Sequence, residues 1–195
     1  LVTPGQMRFA TVAVLFLAAL FGLYLIYRGG WPILVIGVLS MLFAVLYTGG
    51  PLPLGYIGVA DIFVLVFFGP VAVAGTCYVQ VQDISLVPLL AGLATGLISM
   101  AILTVNNLRD IDQDHQAGKK TLAVRFGITF ARWEYLLSMI TAIVIVPLCL
   151  CMIAGGRWGA LAAWVMVFPA LRTTRTVFTE RGGATLNACL AATGK

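Results

Sequence analysis

The sequence predicts an all-α fold, a polytopic helical bundle set in a membrane. Three observations carry that expectation. The 195 residues are 61% hydrophobic and only 10% charged, with a mean hydropathy of +1.04, more apolar surface than a soluble domain of this length can bury. The apolar residues fall in runs of roughly 17–22, the length at which a helix crosses the hydrocarbon core. Gly, Pro and most charged residues collect between the runs.

Six spans follow in order. The first covers residues 9–27, between Arg8 and Arg28. Only Arg8 precedes it and no small-residue cleavage site follows, so it reads as a span and not as a signal peptide. Gly29-Gly30 turns the chain into the second span, 32–47, and a Gly- and Pro-rich loop runs over 48–58. The third span is 62–81. The fourth is 86–108 and runs directly into an acidic motif. A charged loop over 109–133 leads to the fifth span, 134–153, and a shorter sixth, 158–171. Residues 172–195 form a polar tail in which a last helix begins near Ala184. With no repeat and no room for a soluble domain, residues 1–195 read as a single transmembrane domain. It is expected to be incomplete at both ends, because the chain starts without Met and stops inside that last helix.

The basic residues test this topology. Six spans put Arg8, Arg109, Lys119, Lys120, Arg125, Arg132, Arg172, Arg175, Arg181 and Lys195 on one side and only Arg28 and Arg157 on the other. The excess marks the first side as cytoplasmic, which orients the acidic motif and the 48–58 loop together toward the cytoplasm of a multi-pass inner (plasma) membrane protein. Because these charges border spans, the net charge of +5 is no sign of nucleic acid.

The acidic motif carries the chemistry. Asn106 to Thr121 holds three of the seven acids and the single His. If the helix continues to Asp114, then Asn106, Asp110 and Asp114 recur every four residues and share a face. Such oxygen ligands suit Mg²⁺, which takes one or two carboxylates together with waters and substrate phosphates. Lys119, Lys120 and Arg125 follow and can meet phosphate charge. Asp112 lies on another face and is a weaker metal candidate. A solvated loop of balanced charges and a cation-coupled transporter remain open on spacing alone.

Other features point elsewhere or nowhere. Ala117-Gly118-Lys119-Lys120-Thr121 lacks the upstream Gly of a phosphate loop, where Gln113 stands, and no strand precedes it. His115 reads as solvated. Asp61 and Asp83 sit at helix starts, suit the positive end of the dipole and receive no chemistry; no buried base is evident. Cys77, Cys149, Cys151 and Cys189 show neither metal nor redox spacing and read as small hydrophobes. Tyr47 and its Gly/Pro loop serve either as a simple turn or as a cap over a membrane cleft with Tyr47 as polar lining.

Asn106-x-x-Arg109-Asp110-x-x-x-Asp114, continued by Gly118-Lys119-Lys120-Thr121-Leu122-Ala123-Val124-Arg125-Phe126-Gly127, resembles the second aspartate motif of the UbiA-type intramembrane prenyltransferases. Tyr47-Thr48-Gly49-Gly50-Pro51 and Asn106-Asn107-Leu108-Arg109-Asp110 resemble the branch acting on 1,4-dihydroxy-2-naphthoate. The resemblance implies an all-helical fold of about nine spans, of which six are present, and two Asp motifs that hold Mg²⁺ and a polyprenyl diphosphate. It implies metal ligation by Asp110 and Asp114, with Asp112 as a further candidate. Substrate contacts fall to Asn106, Asn107, Lys119, Lys120 and Arg125, charge stabilisation to Arg109, and the aromatic acceptor or the allylic cation to Tyr47. The first motif of such enzymes, Asn-Asp-x-x-Asp, is not in the sequence and is expected before Leu1, so the 195 residues alone are expected to be inactive. The alternatives are another acceptor, such as 4-hydroxybenzoate or homogentisate, a transporter, or a non-catalytic relic of the fold.

Overall fold

The computed structural model describes residues 2–50, 53–153, 155, 158–180 and 183–193. Among the described residues every regular element is helical. Helix α1 spans Pro4–Thr48. Thr3 starts it with a reciprocal cap: its Oγ1 accepts from the Gln6 N–H at 3.3 Å while Gln6 Oε1 accepts from the Thr3 N–H at 2.9 Å. The helical path breaks at Gly30, where φ 64° and ψ −149° place the backbone in a region open mainly to glycine. The expected Gly29-Gly30 turn is therefore present. Ala19, Gly22 and Ile26 from the first limb and Ile33, Gly37 and Met41 from the second line one cavity of about 620 Å³. The two limbs thus fold toward each other.

Helix α2, Ala60–Val81, contains a wide π-type turn at Phe67–Val71 around Gly69-Pro70. Pro70 cannot donate a helical hydrogen bond, and the wide turn absorbs the break. Helix α3, Leu86–Arg109, returns against α2 through Gly92 and Gly96. A Cβ on Gly96 would stand 2.2 Å from the Leu65 carbonyl oxygen, and one on Gly92 would stand 2.7 Å from Pro70 Cα. Small residues allow this close backbone approach, which within a membrane takes the place of hydrophobic burial as the source of packing energy.

A short helix α4, Ile111–Gln116, follows α3. Helix α5 runs over Leu122–Ile153, interrupted at Gly127 (φ 83°). A 3₁₀ segment, Trp158–Met166, continues as α6, Val167–Thr179, and α7 covers Gly183–Thr193. Ala101, Val105, Ala131, Tyr135, Val177 and Leu186 form the centre of the core with no exposure. Tyr135 Oη donates to Thr173 Oγ1 at 2.9 Å. Arg132 donates to the Val177 and Glu180 carbonyls, both at 2.9 Å, and so closes the C-terminus of α6. Phe9, Phe16, Phe21 and Phe168 face outward, as a lipid-facing surface requires.

Among the described residues four helices are long and apolar enough to cross a membrane: α1, α2, α3 and α5. With α1 divided at Gly30 they correspond to the first five expected spans. The chain is a polytopic all-α membrane protein. Two expectations are corrected. The loop expected over 109–133 is mostly helical, as α4 and the first turns of α5. The expected sixth span and polar tail divide differently: 158–166 is a 3₁₀ segment, while 172–179 is helical because Thr173 and Val177, four apart, are both buried against the core.

The ends of the bundle are defined by contacts. At one end Gln82 Nε2 donates to the Arg28 carbonyl at 2.7 Å. At the other the Lys120 N–H donates to the Tyr56 carbonyl at 2.8 Å and Arg125 Nη2 to the Ile57 carbonyl at 2.8 Å. The two unusual loops thus meet at one end, as the span count requires. Pro51 of the Tyr47 motif, and Arg157, Arg181 and Lys195 of the charge map, lie outside the described residues.

Candidate active site

Helix α3 ends at Arg109, and Asp110 adopts φ −99°, ψ 11° before α4 begins. The four-residue rhythm nevertheless survives this bend. The Asp110 N–H donates to the Asn106 carbonyl at 3.1 Å, and the Asp114 N–H to the Asp110 carbonyl at 2.8 Å. Asn106, Asp110 and Asp114 therefore stand one turn apart, although the helix is not continuous.

Each of these two carboxylates has its own cation. Arg109 grips Asp110 through Nε at 2.6 Å and Nη2 at 2.5 Å, the two-point geometry that a guanidinium fork offers a carboxylate. The same guanidinium donates to Asn106 Oδ1 at 2.8 Å and to Asn187 Oδ1 at 2.9 Å. These bonds hold the Asp110 carboxyl below its ordinary pKa of 3.8, the Arg109 hydrogen bond being the largest cause. Asp114 is only 5% exposed and its Oδ1 accepts from Lys119 Nζ at 2.6 Å. That bond raises the Lys119 ammonium above its ordinary pKa of 10.5. Lys119 also lies 5.5 Å from the centre of the Tyr56 ring, which adds a cation–π contact.

The loop over 53–59 closes on this cluster. Gly58 has φ 79°, and a Cβ there would lie 2.4 Å from the Lys120 carbonyl oxygen, so only glycine fits the contact. The Thr121 hydroxyl accepts from the Val124 N–H at 3.3 Å and caps α5. Near the end of α1, Tyr47 lines a cavity of about 730 Å³ with Phe43, Leu54, Phe63 and Phe67. Three of those rings pack together, Phe43 standing 4.6 Å from Phe63 and 5.4 Å from Phe67. Tyr47 is within electrostatic reach of Lys119, so the aromatic cavity and the charged cluster are neighbours.

Not every sequence candidate joins the cluster. Asp112, His115 and Lys120 are exposed, Asn107 is buried, and the Arg125 guanidinium is bonded to the loop at Ile57. Sequence reasoning missed Asn187, which reaches Arg109 from α7, and Tyr56. It also missed Asp61, which is 1% exposed with neither carboxylate oxygen hydrogen-bonded. No buried base is evident in the sequence, yet Asp61 is a buried carboxylate. Its signal is an acid followed at once by Ile62-Phe63-Val64-Leu65-Val66-Phe67-Phe68.

Among the described residues no three His, Cys, Asp or Glu side chains converge as a metal cage. The donors in this cluster, the Asp110 and Asp114 carboxylates and the Asn106 amide, are all oxygens, and here they accept from Arg109 and Lys119. That set fits Mg²⁺, which draws its remaining ligands from waters and phosphates, and does not fit a softer metal.

The UbiA prenyltransferase family profile matches residues 1–189. The chain belongs to the UbiA prenyltransferase family. It is 38% identical over 199 residues to the 1,4-dihydroxy-2-naphthoate octaprenyltransferase of Mycobacterium tuberculosis, a match covering 100% of this chain and 65% of that protein. It is 36% identical over 166 residues to the Escherichia coli protein of the same name, covering 82% and 54% of the two chains. It is 40% identical over 86 residues to the human UbiA prenyltransferase domain-containing protein 1, covering 44% and 25%. The chain thus spans no more than about two thirds of the length of these relatives.

Proposed function

We propose that this UbiA-family protein transfers a polyprenyl group from its diphosphate to 1,4-dihydroxy-2-naphthoate, with loss of the ring carboxylate as CO₂, in menaquinone synthesis. The observation that carries this reading is the pair of cation-matched carboxylates, Arg109–Asp110 and Lys119–Asp114, beside an aromatic cavity at one end of a membrane bundle. The relatives named for this acceptor support the choice of ring.

In this reading Asp110 and Asp114 hold Mg²⁺, with Asn106 supplying a neutral oxygen. The bound metal supplies Lewis-acid neutralisation of the leaving diphosphate. Arg109 and Lys119 occupy the carboxylates until substrate arrives and then turn toward the phosphate oxygens. Lys120, exposed on the same loop, adds positive charge. Tyr47 and the neighbouring Phe rings present π-faces to the allylic centre as its C–O bond lengthens. The polyprenyl tail runs into the lipid-facing interior. The 48–58 loop and the Asp motif face the cytoplasm of the inner membrane.

The deciding experiment offers the purified gene product a polyprenyl diphosphate with 1,4-dihydroxy-2-naphthoate, 4-hydroxybenzoate or homogentisate, each with and without a Mg²⁺ chelator. Preference for the naphthoate and loss of activity on chelation are expected. Preference for a monocyclic acid would overturn the acceptor, and activity unaffected by chelation would overturn the metal.

A further inference from the structure

Asp61 is the second residue of α2 and is 1% exposed. Neither of its oxygens has a hydrogen-bond partner, and no other buried side-chain polar atom among the described residues shares that condition. The start of the α2 dipole offers it some relief. A helix terminus does not replace the donors that a buried carboxylate needs, and leaving them out costs several kcal/mol. Among the described residues no cation is bonded to it: Arg125, which packs against the preceding loop, gives its guanidinium to the Ile57 carbonyl. Two titratable groups on packed elements, the Tyr47 hydroxyl of α1 and the Glu134 carboxyl of α5, are within electrostatic reach of Asp61. Glu134 is another acid and brings no positive charge, and Lys119 is already bonded to Asp114.

The position within α2 is informative. Val64 and Phe68, three and seven residues on, line the aromatic cavity that Tyr47 closes. Leu65 and Gly69, four and eight residues on, pack against the glycines of α3. Asp61 stands at the seam between these faces, at the end of the bundle where the charged cluster lies. Asp61 does not itself line the cavity, but Tyr47, which does, is within its electrostatic reach; a buried unmatched acceptor one side chain behind a wall of Phe rings suits a flat aromatic molecule bearing a hydroxyl.

We propose that Asp61 is the acceptor-side catalytic residue, receiving the hydrogen bond and then the proton of the ring hydroxyl adjacent to the acceptor's carboxylate. The inference rests on the prenyl-transfer reading. The ring carbon bearing the carboxylate bonds to the allylic carbon while the C–O bond to diphosphate breaks, the diphosphate leaving with the electron pair. The neighbouring hydroxyl becomes a ketone, and its proton passes to an Asp61 oxygen. The product is a β-keto carboxylate. Loss of CO₂ sends the C–C pair back toward that oxygen, which recovers the proton from Asp61. No oxidant or further reactant is needed, and Asp61 ends as it began.

The test compares the gene product with its Asp61→Asn variant, using the dihydroxynaphthoate and its ether methylated at the hydroxyl beside the carboxylate. Turnover in Asp61→Asn should fall by about 10²-fold, with the donor KM moving less than about twofold. The melting temperature should change little, because a near-isosteric polar group takes the place of a buried carboxyl that has no hydrogen-bond partner. Methylation should penalise the wild type strongly and Asp61→Asn little further. Asp61→Glu, which keeps the carboxylate, should recover part of the turnover. Equal turnover in wild type and Asp61→Asn, an equal methylation penalty in both, or Asp61→Glu that folds yet recovers nothing would each overturn the proposal. A wild type that prenylates no aromatic acceptor would instead overturn the functional reading on which it rests.

Discussion

Lys119 reaches back five residues to place its ammonium 2.6 Å from Asp114 Oδ1, while its own N–H donates to the Asp114 carbonyl at 2.9 Å. The turn after α4 is therefore folded around the carboxylate that it neutralises. Asp114, almost sealed from solvent, has its partner within the same turn, and Lys119 is positioned before any anionic substrate arrives.

The carboxylates should differ sharply in importance. Asp110→Asn and Asp114→Asn should each lower turnover by about 10²-fold or more, the usual cost of losing one preorganised charge contact. Asp112→Asn should be mild, since Asp112 is exposed and outside the cluster. Steady-state rates of the three variants check this, and equal small losses would return the motif to a solvated loop.

The pH behaviour follows from the two ion pairs. The Asp110 pKa is lowered, so the stability contributed by its pairing with Arg109 is complete above 3.8 and is lost only as pH falls through the lowered value. The Lys119 pKa is raised, so its contribution is complete below 10.5 and is lost only as pH rises through the raised value. Between these limits neither the Asp110 carboxylate nor the Lys119 ammonium changes charge. A pH–rate profile measured over the neutral range should show no inflection assignable to either; one abolished by Lys119→Met would contradict the assignment.

Gly96→Ala should destabilise the bundle by about 1–3 kcal/mol, as overpacking of a tight contact does. The added Cβ would meet backbone at Leu65, which cannot rotate away as a side chain could. A lowered melting temperature in detergent is the expected reading. Gly22→Ala, where a Cβ meets nothing within 4 Å, serves as the control.

Arg132→Met should loosen α6. The substitution keeps the aliphatic stem but removes donors to the Val177 and Glu180 carbonyls, and hydrogen bonds from a charged group are worth about 1.5–3 kcal/mol. Faster backbone amide exchange over the last turn of α6, with α3 unchanged, is the measurement.

For orientation, a Cys introduced at Ala117, an exposed position in the turn after α4, should resist an impermeant thiol reagent in intact cells. Labelling only after the membrane is opened is expected; ready labelling from outside would reverse the topology.

Most of the fold was legible because membrane helices announce themselves by length and hydropathy, and Gly29-Gly30 marks a turn by its backbone alone. The helical start of α5 was hidden: Arg125, Gly127 and Arg132 give it the composition of a loop, and its helicity rests on the Thr121 cap and on contacts distant in sequence. The same holds for 172–179, where two buried positions outweigh a polar average. In the site, the Asn106–Asp110–Asp114 rhythm was readable, whereas the cations that answer each carboxylate depended on loop closure. Asp61 escaped because a lone acid at a helix start looks the same in sequence whether it is solvated or sealed. Asn187 escaped because its partner is 78 residues away.

The contact of Gly69 with Gly92 and Gly96 has a mechanical meaning. Helices joined backbone to backbone have no side-chain cushion across which to slide, so α2 and α3 behave as a single plank. Phe63 and Phe67 of the aromatic wall ride on one side of that plank, and Asn106 and Arg109 on the other. A tilt of α2 must carry Asn106 and Arg109 with it, keeping the α2 rings and the charge-holding end of α3 in fixed registration, so that the cavity opens by movement of α1.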